Sequence, residues 1–483
     1  MGGRSIDFKD INFGYASAER ESLKYPHLLT KGFLDGFQIR EQLLKGDKFI
    51  ILGYKGTGKS AIGEHFRLVA QDEPNFFAKM VYLEDFPYAK FRKVIKGSKD
   101  ETRFSTAWGW LLLLLLLDLL WQDEEVRQME FAQQAVSILK ASGLWPVPHI
   151  RQLVVASARN RFALKVPLDL REVFPFIAEE GEMGIESFVE HFQASLEPLR
   201  HVRAQFIVGI DGLDDVLLRQ KVQYEVLGGL LFQVNRLNMF MQRRGIPVKY
   251  LFFCRTELYE RLPVPNKNKI RQDSAVVIDW YKDLHEPRHS LLVRIANIRA
   301  KLSDPTIEDL FDEYFPEQIQ ESKYREKNTL RFLLDLTRHN PRDFLQLLIH
   351  IQHFSGSGKL TQRQIQSGIK DYSIQYFLPE IRDELAGYAD IEEIESLIKL
   401  LGALRKRDFS YGELEAISRQ KGIDLELPPI LEMMFDAGAI GNVRKLQSGA
   451  RILTFRFRNR NSTLNLDERL ILHKGLWKAL NLV

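Results

Sequence analysis

The sequence predicts an α/β chain: a parallel-sheet core carrying a helical insertion, then a helical lid and a C-terminal winged helix. Three observations predict it. Phe49 to Leu52 is a short apolar run that breaks into the glycine-rich turn Gly53-Tyr54-Lys55-Gly56-Thr57-Gly58-Lys59-Ser60, followed by Ala61 and a helical pattern as far as Ala70. A buried strand entering a helix through such a turn is a unit of a parallel sheet. Phe206 to Ile210 is uncharged until Asp211, and Val248 to Cys254 is largely apolar and meets a cation at Arg255. Beyond residue 390, three helical patterns precede two strand patterns, the helix-helix-helix-hairpin order of a winged helix.

The elements follow in order. Residues 1–45 form a leading segment with a helix around Phe37 to Leu44, and residues 46–290 form the core. Lys79 to Leu83 reads as its second strand, ended by the turn residues Asp85 to Pro87. From about 100 to 200 the apolar spacing is helical, as in Glu130 to Leu139 and Ile185 to Leu199, which marks an insertion. A long amphipathic helix from Gln220 to Arg243 separates the Asp211 and Arg255 strands, and Ala275 to Trp280 closes the sheet. Residues 291–378 form the lid, with helices at Leu291 to Leu302, Asn328 to Ile351 and Leu360 to Phe377. The break at His339-Asn340-Pro341-Arg342 fits proline's preference for the first turn of a new helix. Residues 379–483 hold the winged helix: Ile391 to Leu404, Tyr411 to Gln420 and Pro428 to Ala437, then strands Ile440 to Lys445 and Arg451 to Phe457.

Composition narrows the function classes. The chain has 483 residues, is 45% hydrophobic, and balances 68 basic against 64 acidic side chains for a net charge of +4. That is ample for sizeable cores, and any basic surface must be local. One cysteine, Cys254, precludes an internal disulfide, and the first residues lack the apolar stretch of a secretory signal, so a reducing cytoplasm is expected. Trp108 to Trp121 includes an unbroken leucine run, Leu111 to Leu117. It is shorter than the ~20 residues a bilayer requires and is interrupted by Asp118, so it predicts a buried core helix and no membrane partner.

The turn at 53–60 matches G-x-x-x-x-G-K-[ST], the P-loop. Its glycines let backbone N–H groups converge on phosphate oxygens at a helix N-terminus, Lys59 reaches the β- and γ-phosphates, and the Ser60 hydroxyl ligates Mg²⁺. Asp211, at the carboxyl end of its strand, is expected beside the P-loop, where it holds the same Mg²⁺ directly or through water. Asp214 and Asp215 follow in the turn, either to orient or deprotonate an attacking water or to cap a helix. Arg255 ends its own strand and either reaches the γ-phosphate or pairs with Glu257. Cys254 reads as a packed hydrophobe. The expected ligand is ATP rather than GTP, since Asn266-Lys267-Asn268-Lys269 lacks the carboxylate of a guanine-reading motif. Between Asp436 and Asp467 lie Arg444, Lys445, Arg451, Arg456, Arg458 and Arg460 without an acidic residue. Such a wing suits DNA phosphate, yet the stretch Pro428 to Phe435 has no cation for base edges, and a protein-docking or lid-regulating role fits equally.

With the P-loop, Asp211-Gly-Leu-Asp214-Asp215 and Arg255 in this order, the chain resembles the STAND and AAA+ ATPases, including the NACHT signalling proteins and the origin-recognition ATPases. The resemblance implies that Asp211 is the Mg²⁺ residue, that Asp215 stands where a glutamate is usual, and that Arg255 is the sensor-1 residue. It also implies that Pro341-Arg342 is the lid motif touching adenine and phosphates. Arg271 stands where an arginine finger for a neighbouring subunit is expected, or is a solvated loop cation. Phe13-Gly-Tyr-Ala-Ser-Ala-Glu, the P-loop and His473-Lys-Gly-Leu-Trp-Lys-Ala-Leu are similar to a bacterial group of stand-alone P-loop ATPases, some linked to anti-phage defence. The implied function is a slowly hydrolysing, ATP-dependent switch that assembles as a homo-oligomer or controls an effector protein. The competing expectation is a DNA-binding ATPase resembling replication-initiation loaders.

Overall fold

Five strands that end at a common edge organise the core. The structure, a computed structural model, describes residues 6–84, 86–91, 102–159, 163–173, 181–212, 221–281, 286–322, 325–386 and 388–482. Strands β1 (Ile50–Gly53), β2 (Phe76–Tyr82), β3 (Gln205–Asp211), β4 (Val248–Arg255) and β5 (Ala275–Val277) make one parallel sheet in the order β2-β3-β4-β1-β5. Phe252 of β4 is level with Ile50 of β1 and with Ile210 of β3, and Arg255 is level with Gly53. Asp211 and Arg255 therefore end their strands on the side where β1 enters its turn.

The sheet order places β4 between β1 and β3, so the strand that ends at Asp211 stands two strand spacings, about 10 Å, from β1. Arg255 is on the adjacent strand instead. The three central runs, β1, β3 and β4, are alike in being largely apolar and buried, so their composition does not encode their lateral order.

Contacts group the chain into two compact units, residues 37–53 with 59–278, and residues 1–36 with 54–58 and 279–483. In the first, helix α1 (Lys59–Asp72) follows the turn, and helices α2 (Thr102–Leu120) and α3 (Lys221–Arg244) pack together. Each leucine from Leu111 to Leu117 is buried, as expected for a core helix. Among the described residues no helix is long and apolar enough to cross a membrane. Polar pins fix α2: Ser105 Oγ donates to Gln233 Oε1 at 2.8 Å, Trp108 Nε1 to the Val226 carbonyl at 2.8 Å, and Lys79 pairs with Asp118. The insertion is largely helical, at Glu130–Ala141, Ile150–Arg159 and Ile185–Ala194, and adds a small antiparallel ribbon, Ala163–Lys165 with Glu182–Gly184.

In the second unit the leading segment docks on the lid helices. Arg299, in α4 (Leu291–Ser303), pairs with the buried Glu21 at 2.7 Å, and the Tyr15 N–H donates to the same carboxylate at 2.8 Å. Gly14, at φ +84°, is required there, because a Cβ would fall 1.9 Å from Glu21 Oε2. Helices α5 (Pro341–Gln352), α6 (Gln362–Tyr372) and α7 (Leu378–Ala386) follow. The winged helix comprises α8 (Ile391–Leu404), β6 (Asp408–Phe409), α9 (Tyr411–Lys421), α10 (Leu427–Asp436), β7 (Ile440–Lys445), β8 (Arg451–Thr454) and β9 (Arg469–Leu472). Its antiparallel sheet runs β6-β9-β7-β8, so it has two strands beyond the expected hairpin, and the second hairpin strand stops at Thr454 rather than Phe457.

Two buried histidines give this unit a pH dependence. His473 Nδ1 accepts from the Gly475 N–H at 3.1 Å, which leaves Nε2 as the donor to the Thr337 carbonyl at 3.2 Å, a pairing only the neutral ring can make. Burial first, then the Arg338 charge, pushes the His473 pKa down to about 3. Burial and Arg458 push His339 down to about 4. Above pH 6.5 both rings are neutral folded or unfolded; below it only the unfolded chain takes up the protons, so stability falls toward those lowered values. The expected slope is about 1.4 kcal/mol per pH unit for each histidine. Urea unfolding at pH 7.5 and 5.5 measures it, and His473→Gln should flatten the difference.

Candidate functional site

The turn after β1 is shaped by two glycines in conformations closed to other residues: Gly56 at φ +81° and Gly58 at φ +87°. Thr57 closes it, its N–H and hydroxyl both donating to the Tyr54 carbonyl, at 3.3 and 2.8 Å. A Cβ built on Gly58 meets nothing within 4 Å, so this side of the turn is open, whereas one on Gly56 would lie 2.8 Å from Asn340 Oδ1. Trp280 Nε1 donates to the Thr57 carbonyl at 2.9 Å. Because a trans peptide sets C=O and N–H on opposite sides, that bond aims the Gly58 N–H away from Trp280. The Arg342 N–H approaches the Gly56 carbonyl at 3.4 Å.

Charged side chains hold the same segment. Lys55 Nζ pairs with Glu380 of α7 at 3.0 Å, Arg342 reaches that carboxylate at 3.4 Å, and the Arg460 guanidinium lies 5.8 Å from the centre of the Tyr54 ring. Burial alone would raise the Glu380 carboxyl, but Lys55, Arg338 and Arg342 hold it below its ordinary range. Asn340 caps α5 by accepting from the Asp343 N–H at 2.8 Å. Behind the cap, Arg338 and Asp343 form a fully buried pair, with bonds of 2.8 and 3.0 Å from the guanidinium and 3.1 Å from the Arg338 N–H. Arg338 also pairs with Glu384 and donates to the Ala437 carbonyl at 3.3 Å.

On the sheet side, Lys59 is buried and donates to the Gly53 carbonyl at 3.1 Å. Lys59 opens α1, and Ser60 and Ala61 follow in its first turn. Asp211 is 4% exposed at the end of β3, and Arg255 ends β4 level with Gly53. Cys254 is fully buried, as a packing residue would be. Asp214 and Asp215 lie outside the described residues. Arg271 is on the helix Lys267–Ser274, paired with Glu260, rather than in a loop.

The sequence singled out Pro341 and Arg342 but missed Asn340, Trp280 and Glu380, which hold the loop from far along the chain. Of these, only the Asn-Pro step carried a local signal, since asparagine before proline is a cap followed by a first-turn residue. The basic wing is mostly neutralised within the fold: Arg451 pairs with Asp408, Arg456 lies 3.6 Å from Asp436, Arg458 3.6 Å from Asp335, and Arg460 3.2 Å from Asp279. Arg444 and Lys445, at the end of β7, are exposed.

Residues 290–378 match the FunZ-associated C-terminal helical domain. The chain is 20% identical over 510 aligned residues to the Escherichia coli K12 protein described as "Putative transposon gamma-delta 80.3 kDa protein", covering 99% of this chain and 68% of that one. Among solved structures it is similar to Cdc6p from Pyrobaculum aerophilum, at 11% identity, 99% and 97% coverage and a TM-score of 0.33. It is also similar to the Aeropyrum pernix ORC1 protein in complex with DNA, at 13% identity, 92% and 89% coverage and a TM-score of 0.35. These superpositions are loose, so the P-loop fold rests on the sheet and the turn themselves.

Two substitutions separate the supports of the loop. Arg338→Met strands a buried Asp343 carboxylate and should cost about 3–5 kcal/mol of stability. Glu380→Gln weakens charged hydrogen bonds to Lys55 and Arg342 and should cost about 1.5–3 kcal/mol at most. Urea denaturation of both variants ranks them.

Proposed function

We propose that the chain is an ATP-binding, slowly hydrolysing switch in which the P-loop is the shared element between nucleotide and the helices that read it. The observation that carries this reading is the hold on residues 54–58 by Asn340 and Arg342 of the α5 N-terminus and by Glu380 of α7. Phosphate entering the open side of the turn acts on the same backbone those helices grip. The residues fit the group: the Ser60 hydroxyl and Asp211 carboxylate are hard oxygen donors of the kind Mg²⁺ takes. Mg²⁺ held there would neutralise charge on the β- and γ-phosphates.

The protein's own groups define the two states. Lys59, which donates to the Gly53 carbonyl, would turn its ammonium to the phosphates. Lys55 is shared between Glu380 and the anion, so nucleotide weakens the hold on α7. Arg255, level with the entry to the turn, would report the γ-phosphate. A ligand shifts such an equilibrium only by its differential contacts, and these three cations supply them. The AAA+ or STAND class, homo-oligomeric assembly and an effector partner belong to the same proposal, whereas a role in phage defence rests on the resemblance alone.

A second reading, DNA binding through the winged helix, is favoured by the exposed pair Arg444 and Lys445. Since four other wing cations have acidic partners, the salt dependence should correspond to about two phosphate contacts, a log–log slope near −2 rather than −5.

Lys59→Ala should abolish Mg²⁺-ATP binding in calorimetry, and Asp211→Asn should remove its Mg²⁺ dependence. Unchanged ATP affinity in Lys59→Ala would refute the proposal. For the second reading, replacing Arg444 and Lys445 by alanine should remove the salt-dependent part of duplex binding; absence of duplex binding by the parent chain leaves the protein-docking role.

A further inference from the structure

Away from the P-loop, helices α5 and α6 bring together two imidazoles and a carboxylate that none of the preceding chemistry uses. We propose that His350, His353 and Asp371 form a transition-metal site, of the kind that takes Zn²⁺, which staples the end of α5 to α6. His350 lies in the last turn of α5 and His353 directly follows it, three residues on, so both rings project from one face. Asp371 is in the last turn of α6. Its Oδ2 lies 2.7 Å from His350 Nδ1 and 3.3 Å from His353 Nδ1, and one ligating atom from each of the three residues lies within 4.8 Å of the others.

These separations suit a common ion. Zinc binds imidazole nitrogen and carboxylate oxygen at about 2.0–2.2 Å, so two ligands of a tetrahedral ion lie about 3.3–3.5 Å apart: the 3.3 Å contact of His353 already fits, and the 2.7 Å contact of His350 opens by about 0.6 Å as the ion replaces the shared proton. Any closing of the two imidazoles toward each other falls to His353, whose side chain is 55% exposed and so has room to rotate. Two nitrogens and one oxygen are a borderline donor set that favours Zn²⁺ over Mg²⁺ or Ca²⁺, and water completes a tetrahedron. The helices are close enough for the short aspartate to reach: a Cβ on Gly368 of α6 would lie 2.4 Å from the Ile351 Cα of α5. The exposed edge at His353 gives the ion an entry path, while His350, 12% exposed, anchors it on the inner side.

The staple has a consequence for α5, whose opposite end holds the P-loop through Asn340 and Arg342. Fixing the last turn of α5 restrains the helix at the end remote from the loop. The site does not depend on nucleotide chemistry, and its test reads metal directly.

The untagged 483-residue chain, stripped with a chelator and dialysed against Zn²⁺, should retain one zinc per chain by elemental analysis and gain thermal stability with added Zn²⁺. His353→Gln and Asp371→Asn should each weaken zinc retention at least tenfold and abolish the thermal shift. Both variants should keep the parent's helical circular dichroism and Mg²⁺-ATP affinity, which shows that the loss is local. Cobalt substitution should give the visible absorption of a tetrahedral site in the parent only. Retention of the same zinc by the variants, or no retention by the parent, overturns the proposal and leaves a hydrogen-bonded triad only.

Discussion

The buried ion pair of Arg338 with Asp343 is the constraint on which the loop-holding side of this protein depends. Burial alone would raise the Asp343 carboxyl, yet the guanidinium facing it more than compensates and holds it ionised below its ordinary range. Distant segments hold both partners further: Asp343 also accepts from the Tyr376 hydroxyl at 3.0 Å, and the Arg338 charge lies 5.4 Å from the Phe377 ring centre. The turn between them is thereby fixed in shape. His339 can sit at φ +51°, Asn340 caps α5, and Pro341 and Arg342 leave in the direction of the P-loop. Such a pair contributes little net stability by itself, but its geometry admits few alternatives.

The P-loop is consequently a structured element rather than a flexible turn. Its carbonyls are engaged by Trp280 and Arg342, Lys55 by Glu380, and Tyr54 by Arg460. Preorganisation of this kind means that little backbone freedom is lost when an anion is taken up. Lys59 is likewise not idle, since its ammonium already has the Gly53 carbonyl. The strand order adds a second constraint: with β4 between β1 and β3, Arg255 is carried on the strand adjacent to the loop's own, while Asp211 is one strand further out.

Much of this was legible in the chain because the relevant signals are local. Apolar runs such as Phe206 to Ile210 and Val248 to Cys254 declared strands, and the glycines of 53–60 declared the turn. Periodicity located the helices Lys221–Arg244 and Leu291–Ser303 to within a residue, whereas the leucine-rich helix starts at Thr102, six residues before the expected Trp108, and the one at Ile185 ends at Ala194 rather than Leu199. What the sequence could not disclose was lateral order and distant pairing. Glu380 looks like any helical glutamate, and Trp280 reads as the end of a strand that in fact stops at Val277. The basic wing shows the reverse error: no acid lies between Asp436 and Asp467, yet Asp279, Asp335 and Asp408 arrive from other parts of the chain. The missed strands β6 and β9 have two and four residues, too few for alternation to register.

The leucine-rich helix α2 raises a different question, that of azimuth. A helix whose sides are all equally oily has no preferred face, so burial free energy alone leaves its spin about its own axis almost degenerate. Here the degeneracy is broken by a few polar latches, Ser105 to Gln233, Trp108 to the Val226 carbonyl and Asp118 to Lys79. Hydrophobicity thus decides that this segment goes inside, while a hydroxyl, an indole and a carboxylate decide which way it faces. Evolution can exchange one leucine for another apolar residue at modest cost, but the orientation of the whole rod hangs on side chains that make up a small part of its surface.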